Sequence, residues 1–385
     1  MKLNSKYIII FLSIAFIAIL ASCVEEIALE TEGFEEVIVI EGTITDEIKQ
    51  HQIKLSETFA LNKSGTNPLS GANVRINGDI EYIFEEVESG MYVSRDSFSA
   101  EPGVNYQLSI SVNDKEYESE PMKLTESSSI EELNANRINY QGDNGVVITL
   151  SNQTTTGLAN YYRYEYTETF KFNSNFFKIK DLIVQEGELV EVPKQKEEYT
   201  CYRTDESQDI ILANTNSLSE DSVNNLFMTF INSDDPKLSN RYSILVKQYV
   251  ISRGAYTYYE ILEELSGSDN LFSQSQPGFF AGNISNINNL EEKIIGYFDV
   301  SSVSVKRLYF NYEDFYNPGS VRPRFVPFAN CEEISGDIPR LINLIEQNQV
   351  RWSSTTPGGS FIVVPRKCVD CTFFGTNERP EFWED

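Results

Sequence analysis

Apolar and polar residues alternate with a period of two over a series of short runs in the first third of the chain, 51–55, 72–76, 82–84, 91–93 and 106–112, and a β-branched run at 37–44 precedes them. A β-strand turns successive side chains to opposite faces, so such runs predict strands with one face buried. Asn77-Gly78-Asp79, Ser89-Gly90, Pro102-Gly103 and Asn113-Asp114 interrupt them. Short strands cut by turn residues at roughly ten-residue spacing predict a β-sandwich over residues 34–125.

A polar junction, Thr125-Glu126-Ser127-Ser128-Ser129, ends this unit, and a larger one follows over 126–385. It is again strand-rich, at 146–150, 161–172, 209–213, 241–251, 294–299 and 305–310. The run YYRYEYTETFKF at 161–172 places its aromatics along a long strand, and the reading is a core or sheet face rather than a ligand platform. Two helices stand out. Residues 253–265 carry Tyr256, Tyr259, Leu262 and Leu265 at three-residue steps and stop before Ser266-Gly267. Residues 337–350 carry Ile338, Leu341, Ile342 and Ile345 on one face, with Asp337 as cap and Pro339 in the first turn. A third, short helix is expected at 219–223. The fold class expected is mainly β, with a second sandwich-like unit carrying two or three helices. The order Gly71-Ala72-x-Val74-x-Ile76, Phe84, Gly90-x-Tyr92, Phe98 and Pro102-Gly103-x-x-Tyr106-x-Leu108-x-Ile110 resembles immunoglobulin-like and transthyretin-like modules of exported proteins.

The N-terminus is patterned for export, not for folding. Lys2 and Lys6 precede an almost purely apolar stretch, 7–20, and then Leu20-Ala21-Ser22-Cys23. This is the layout of a signal peptide over 1–22. The apolar run is short for a membrane span, which needs about 20 residues. Leu-Ala-Ser-Cys is similar to a bacterial lipobox, which implies lipidation of Cys23 and removal of the segment before it. A thiolate is the nucleophile that takes a lipid as a thioether, and each buried CH₂ of the acyl chains adds about 0.8 kcal/mol of bilayer affinity. Residues 23–33 then form a lipidated tether to the bilayer. Its Glu25 and Glu26 resemble the sorting signals that send Bacteroidota lipoproteins to the cell surface.

Charge narrows the partners. The chain of 385 residues holds 58 Asp and Glu against 31 Lys and Arg, a net −27. Phosphate backbones and anionic lipid both require clustered basic residues, so the reading is no nucleic acid and no basic membrane patch. Catalytic chemistry is thin. His51 is the single histidine and falls in a predicted strand; no G-x-S-x-G, H-E-x-x-H, Walker A or dinucleotide glycine pattern occurs. Carboxylate pairs such as Glu131-Glu132, Glu263-Glu264 and Glu291-Glu292 are expected by chance in so acidic a chain. Asp234-Asp235 lacks the spaced ligands of a calcium loop and reads as a solvated turn. The sequence therefore nominates no catalytic residue, metal ligand, cofactor or ligand-binding residue, and the chain is read as not an enzyme.

Besides Cys23, the cysteines are Cys201, Cys331, Cys368 and Cys371. An exported chain with four remaining cysteines reads as two disulfides. Cys368-x-x-Cys371 lacks a redox setting: Pro365 precedes it, and Thr372-Phe373-Phe374-Gly375 reads as strand and turn. A bridge inside C-x-x-C closes a tight loop typical of catalytic disulfides. The expectation is therefore that Cys331 pairs with one of the two and Cys201 with the other, tethering a C-terminal tail that carries Phe373, Phe374, Phe382 and Trp383. Joining Cys331 to Cys371 and Cys201 to Cys368 closes loops of 40 and 167 positions.

Several strings are familiar in combination: Cys201-Tyr202-Arg203-Thr204, Asp209-Ile210-Ile211-Leu212, Leu218-Ser219-Glu220-Asp221, Tyr242-Ser243-Ile244-Leu245-Val246-Lys247-Gln248-Tyr249, Ala255-Tyr256-x-Tyr258-Tyr259, Gln276-Pro277-Gly278, Gly282-Asn283-Ile284 and Gly296-Tyr297-Phe298. The chain then ends in Cys368-x-x-Cys371, Gly375-Thr376-Asn377 and Pro380-Glu381-Phe382-Trp383-Glu384-Asp385. Together they resemble domain-of-unknown-function family 4249, outer-membrane lipoproteins of Bacteroidota often encoded beside TonB-dependent receptors. The resemblance implies a lipid-anchored, cell-surface accessory or cargo-capturing subunit of a TonB-dependent transporter. It supplies no catalytic residue. The rival expectation is a stand-alone surface protein binding glycan, peptide or another cell.

Overall fold

Alternation becomes strands almost everywhere it was read. The structure, a computed structural model, describes residues 37–58, 67–153, 159–216, 222–267, 282–327 and 330–384. The expected signal peptide, tether, Cys23, Glu25 and Glu26 lie outside the described residues, as do 219–221 of the expected third helix. The first unit holds β1 (Ile38–Thr45), β2 (Gln52–Glu57), β3 (Asn73–Asn77), β4 (Glu81–Glu88), β5 (Met91–Ser94), β6 (Asn105–Val112), β7 (Lys115–Ser119) and β8 (Met122–Lys123). The second begins with β9 (Ser129–Tyr140), β10 (Asp143–Gln153), β11 (Tyr161–Asn173), β12 (Lys180–Gln185), β13 (Glu188–Pro193), β14 (Thr200–Glu206), β15 (Ile211–Asn214), β16 (Leu226–Asn232) and β17 (Arg241–Val250). It continues with α1 (Arg253–Gly267), β18 (Ile284–Asn286), β19 (Ile294–Asn311), α2 (Ile338–Glu346), β20 (Val350–Thr355) and β21 (Phe361–Pro365). The chain is mainly β, as expected.

Strand β19 organises the molecule. Residues 294–301 pair in parallel with β1, and 302–311 pair antiparallel with β17. One 18-residue strand thus serves as an edge of two sheets. The first runs β19-β1-β2-β5-β4-β3-β6-β7-β18, and the second runs β19-β17-β11-β14, with β15 also on β11. The sequence suggested two separate strands here because Ser301, Ser302 and Ser304 break the apolar pattern. All three hydroxyls are used. Ser301 donates to Asp299 Oδ2 at 2.6 Å, Ser302 donates to the Glu126 carbonyl at 2.7 Å, and Ser304 accepts from the Ile130 N–H at 3.0 Å. Paired polar groups can be buried where unpaired ones cannot.

The junction at 125–129 is therefore a boundary along the chain but not in the packing. The first core combines Ile40, Ile53, Leu55, Tyr92 and Tyr106 with Ile284, Ile294, Phe298 and Val300 from beyond it. The second core lies between the β11-bearing sheet and a three-stranded sheet, β16-β10-β9. Tyr162, Tyr164, Tyr166, Phe170 and Phe172 of β11 all enter it, each ring worth roughly 2 kcal/mol on burial. The 161–172 aromatics are core, as read. Helix α2 packs with the β12–β13 and β20–β21 hairpins in a small satellite core around Leu182, Leu341 and Val363. It stops earlier than expected, because Asn348 takes a left-handed φ of 58° and Val350 already begins β20.

Two glycine strings meet at the β19 edge. A Cβ on Gly282 would lie 1.5 Å from the Gly296 carbonyl oxygen, and one on Gly296 would lie 2.4 Å from that of Ile40. The Asn283 amide then donates to the Phe298 carbonyl at 2.8 Å and accepts from the Phe298 N–H at 2.8 Å. The Asn283 side chain stands in for a neighbouring strand there.

The cysteines form Cys201–Cys371 and Cys331–Cys368 bridges, with Cα–Cα distances of 5.7 and 5.8 Å. Each member of C-x-x-C bonds outward, as expected, and the partners are exchanged relative to the Cys331–Cys371 and Cys201–Cys368 assignment. The reason is local. Cys371 N–H donates to the Glu198 carbonyl at 2.8 Å, beside β14 and Cys201. The expected strand after Cys371 is instead a 3-10 turn, Cys371–Phe373, capped by Asp370, whose carboxylate accepts from Thr372 N–H. Asp370 is fully buried and paired with Arg351 at 3.0 Å and Arg366 at 2.6 Å. The tail docks: Trp383 packs edge-on against Tyr202 and Tyr309, and Phe374 stacks on Phe325 at 4.8 Å. Phe373 and Phe382 stay largely exposed.

Candidate functional site

The period of two that sends the β11 tyrosines into the core sends Arg163 and Glu165 out on the other face. Antiparallel pairing sets Arg163 opposite Tyr249 and Glu165 opposite Lys247 of β17. Because β19 binds both β17 and β1, this charged face meets the first sandwich, where Glu41 of β1 lies opposite Lys54 of β2. Helix α1 closes one side with Tyr258, Tyr259 and Leu262. The result is a cavity of about 520 Å³ between the two sandwiches, also lined by Lys49, Gln50, Gln52 and Tyr297. Its size falls in the range of small-ligand sites. A second cavity of about 380 Å³ shares Lys54, Arg163, Glu165, Lys247 and Tyr259 with it and extends to Glu206, Ser207, Gln208 and Asp209. The two form one groove.

Its floor is rigid. The Arg163 guanidinium lies between the rings of Tyr249 (4.5 Å) and Tyr259 (4.8 Å) and pairs with Glu165. Tyr249 donates to Glu165 Oε2 at 2.9 Å. Burial pushes Glu165 upward, but the Arg163 charge and these hydrogen bonds outweigh it and hold the carboxyl below its usual range. Behind this floor Asp299 is fully buried, and burial raises its carboxyl despite the bond from Ser301. Stacked cations and preformed ion pairs fix a surface before any ligand arrives.

His51 is a wall residue. Its Nε2 lies 2.9 Å from the Phe98 carbonyl, which can only accept, so Nε2 carries the proton. Burial pushes the imidazole down to about 4, against the pull of that bond. The folded protein thus keeps His51 neutral until pH 4, whereas an unfolded chain takes up the proton below about 6.5. Stability therefore falls as pH drops from 6.5 to 4, by about 3 kcal/mol from this group. His51→Gln should remove that part of the slope in urea unfolding measured between pH 7 and 4. A variant with the wild-type slope would show that burial of the ring does not set it.

The four cysteines line neither cavity. Sequence reasoning missed the groove residues, though the signal is present in part: Arg163 and Glu165 interrupt an otherwise aromatic strand, and Lys247 and Tyr249 flank Gln248. What brings them to β1 and β2 is the double pairing of β19, which no local pattern announces.

No curated protein and no solved structure matches the chain. The family described as Domain of unknown function (DUF4249) matches residues 24–307, which takes in the first sandwich, every groove residue and most of the second core, and ends within β19, before the C-terminal cysteines. That span is well over half of the chain, which belongs to the DUF4249 family.

Proposed function

We propose that the protein is a lipid-anchored, non-enzymatic subunit of an outer-membrane TonB-dependent transporter that captures cargo at the cell surface. The observation that carries the capturing role is the groove, walled by both sandwiches and floored by a fixed Arg163–Glu165–Tyr249 cluster. Arrangements of this kind bind; the floor residues are already satisfied by one another. The anchor follows from Leu20-Ala21-Ser22-Cys23, with acylated Cys23 holding the bilayer and Glu25 and Glu26 directing surface exposure. The receptor is what the family resemblance implies, members of that family being often encoded beside TonB-dependent receptors.

Affinity purification of the tagged chain from native outer membranes tests this reading. The expected result is a 1:1 complex with a TonB-dependent receptor, lost from the outer-membrane fraction in Cys23→Ala. An isolated protein without receptor, or undiminished outer-membrane fractionation of Cys23→Ala as mature protein, would overturn it.

A further inference from the structure

We infer that the groove takes short zwitterionic peptides, with the carboxylate at Lys54 and Lys247 and the amino end at Glu206 and Asp209. The inference deepens the capturing role proposed above and rests on it. Three of the charges lining the groove are committed: Lys49 pairs with Glu47 at its rim, and Arg163 pairs with Glu165. Lys54 and Lys247 line both cavities, and among the described residues neither has a carboxylate within 4.0 Å. Lys247 acts on Glu165 and Glu47 only through longer-range attraction, both carboxylates being hydrogen-bonded to nearer partners; Lys54 faces Glu41 without an ion pair. At the other end, Glu206 and Asp209 have no cationic partner within ion-pairing distance among the described residues.

Apart from Glu41, which lies opposite Lys54, the groove is bipolar, with unpaired cations along the shared wall and unpaired anions beyond them. Each spare charge, once covered by a ligand, loses water and needs a counter-charge. A neutral ligand leaves Lys54, Lys247, Glu206 and Asp209 unpaired, Glu41 with them, and is disfavoured for that reason. Sugar recognition by stacking is disfavoured too, because faces of the Tyr249 and Tyr259 rings are covered by Arg163. Tyr258, Tyr297 and Leu262 offer apolar surface for side chains, and Gln52, Ser207 and Gln208 offer partners for peptide groups, while Gln50, whose N–H groups go to Ser94 and Arg95, offers its oxygen as an acceptor.

The test is native mass spectrometry of the full chain with a mixed tripeptide library in free, N-acetylated and C-amidated forms, with cellotriose as the neutral probe. Free peptides should bind, and acetylation and amidation should each weaken binding at least tenfold. The Lys54→Gln, Lys247→Gln double variant should bind acid and amide forms alike while still preferring a free amine. The Glu206→Gln, Asp209→Asn double variant should show the reverse. These side chains make no ion pair, so circular dichroism melts should match the parent. Equal binding of all three forms, no peptide binding at millimolar concentration, tighter binding of cellotriose, or unchanged discrimination in folded variants would each overturn the assignment. Receptor co-purification of the same variants separates the two proposals. Peptide binding without receptor overturns the transporter role alone, and receptor binding without peptide overturns this inference alone.

Discussion

Paired replacement of Cys201 and Cys371 by alanine is expected to lower the unfolding free energy by about 5 kcal/mol, the largest single effect in the molecule. The bridge spans 170 positions and so removes much of the freedom of the unfolded chain. Cys331–Cys368 spans 37 positions, and its loss should cost about 4 kcal/mol in the same entropic account. The two differ in what they release. Cys201 and Cys371 belong to the large core of the second sandwich, whereas Cys331 and Cys368 sit in a small cluster with Val326. Opening the first frees the tail that carries Trp383, which is 3% exposed against Tyr202 and Tyr309. Urea unfolding followed by tryptophan emission should therefore show an early red shift in Cys201→Ala, Cys371→Ala and little early change in Cys331→Ala, Cys368→Ala. Equal stability of the first variant and the parent would mean that the tail is held by its packing alone.

Gly282→Ala should cost about 3 kcal/mol or more. The added methyl would lie 1.5 Å from a backbone oxygen, that of Gly296, so no rotamer change relieves it. The displacement would pull Asn283 off both backbone groups of Phe298 and leave them unpaired in a buried site. Gly336→Ala is the control: its nearest neighbour is the flexible Arg340 side chain at 3.3 Å, and a shift within about 0.5 kcal/mol is expected. Urea midpoints of the two variants decide the matter, and similar values would remove the close backbone approach as a cause.

These two cases show what can be read before folding and what cannot. Alternation found the strands because burial on one face is a local property. The tyrosines of β11 were correctly placed in the core for the same reason. Gly282-Asn283-Ile284 and Gly296-Tyr297-Phe298 were visible as strings, but their meeting was not, since it depends on which strand lies beside β1. Ser301 and Ser302 misled the reading of β19, because a serine satisfied by Asp299 or the Glu126 carbonyl looks in sequence like a turn residue. The groove stayed hidden for a related reason. Its charges come from β1, the β1–β2 loop, β2, β11, β14, the loop before β15 and β17, and only the three-dimensional order of strands unites them.

The double pairing of β19 also sets a timetable. As the chain emerges from its N-terminus, β1 is ready about 250 residues before the parallel partner that covers its edge, a long-range closure of the kind that slows folding. Until then β1 offers a free row of N–H and C=O groups, and Ile40 and Ile44 lack the Phe298 and Val300 that share their core. A nascent or truncated chain ending before Ile294 is thus a strand-edge hazard, prone to pair with a second copy. The first sandwich comes first in sequence and finishes late, and what the chain needs while it waits is protection of that edge.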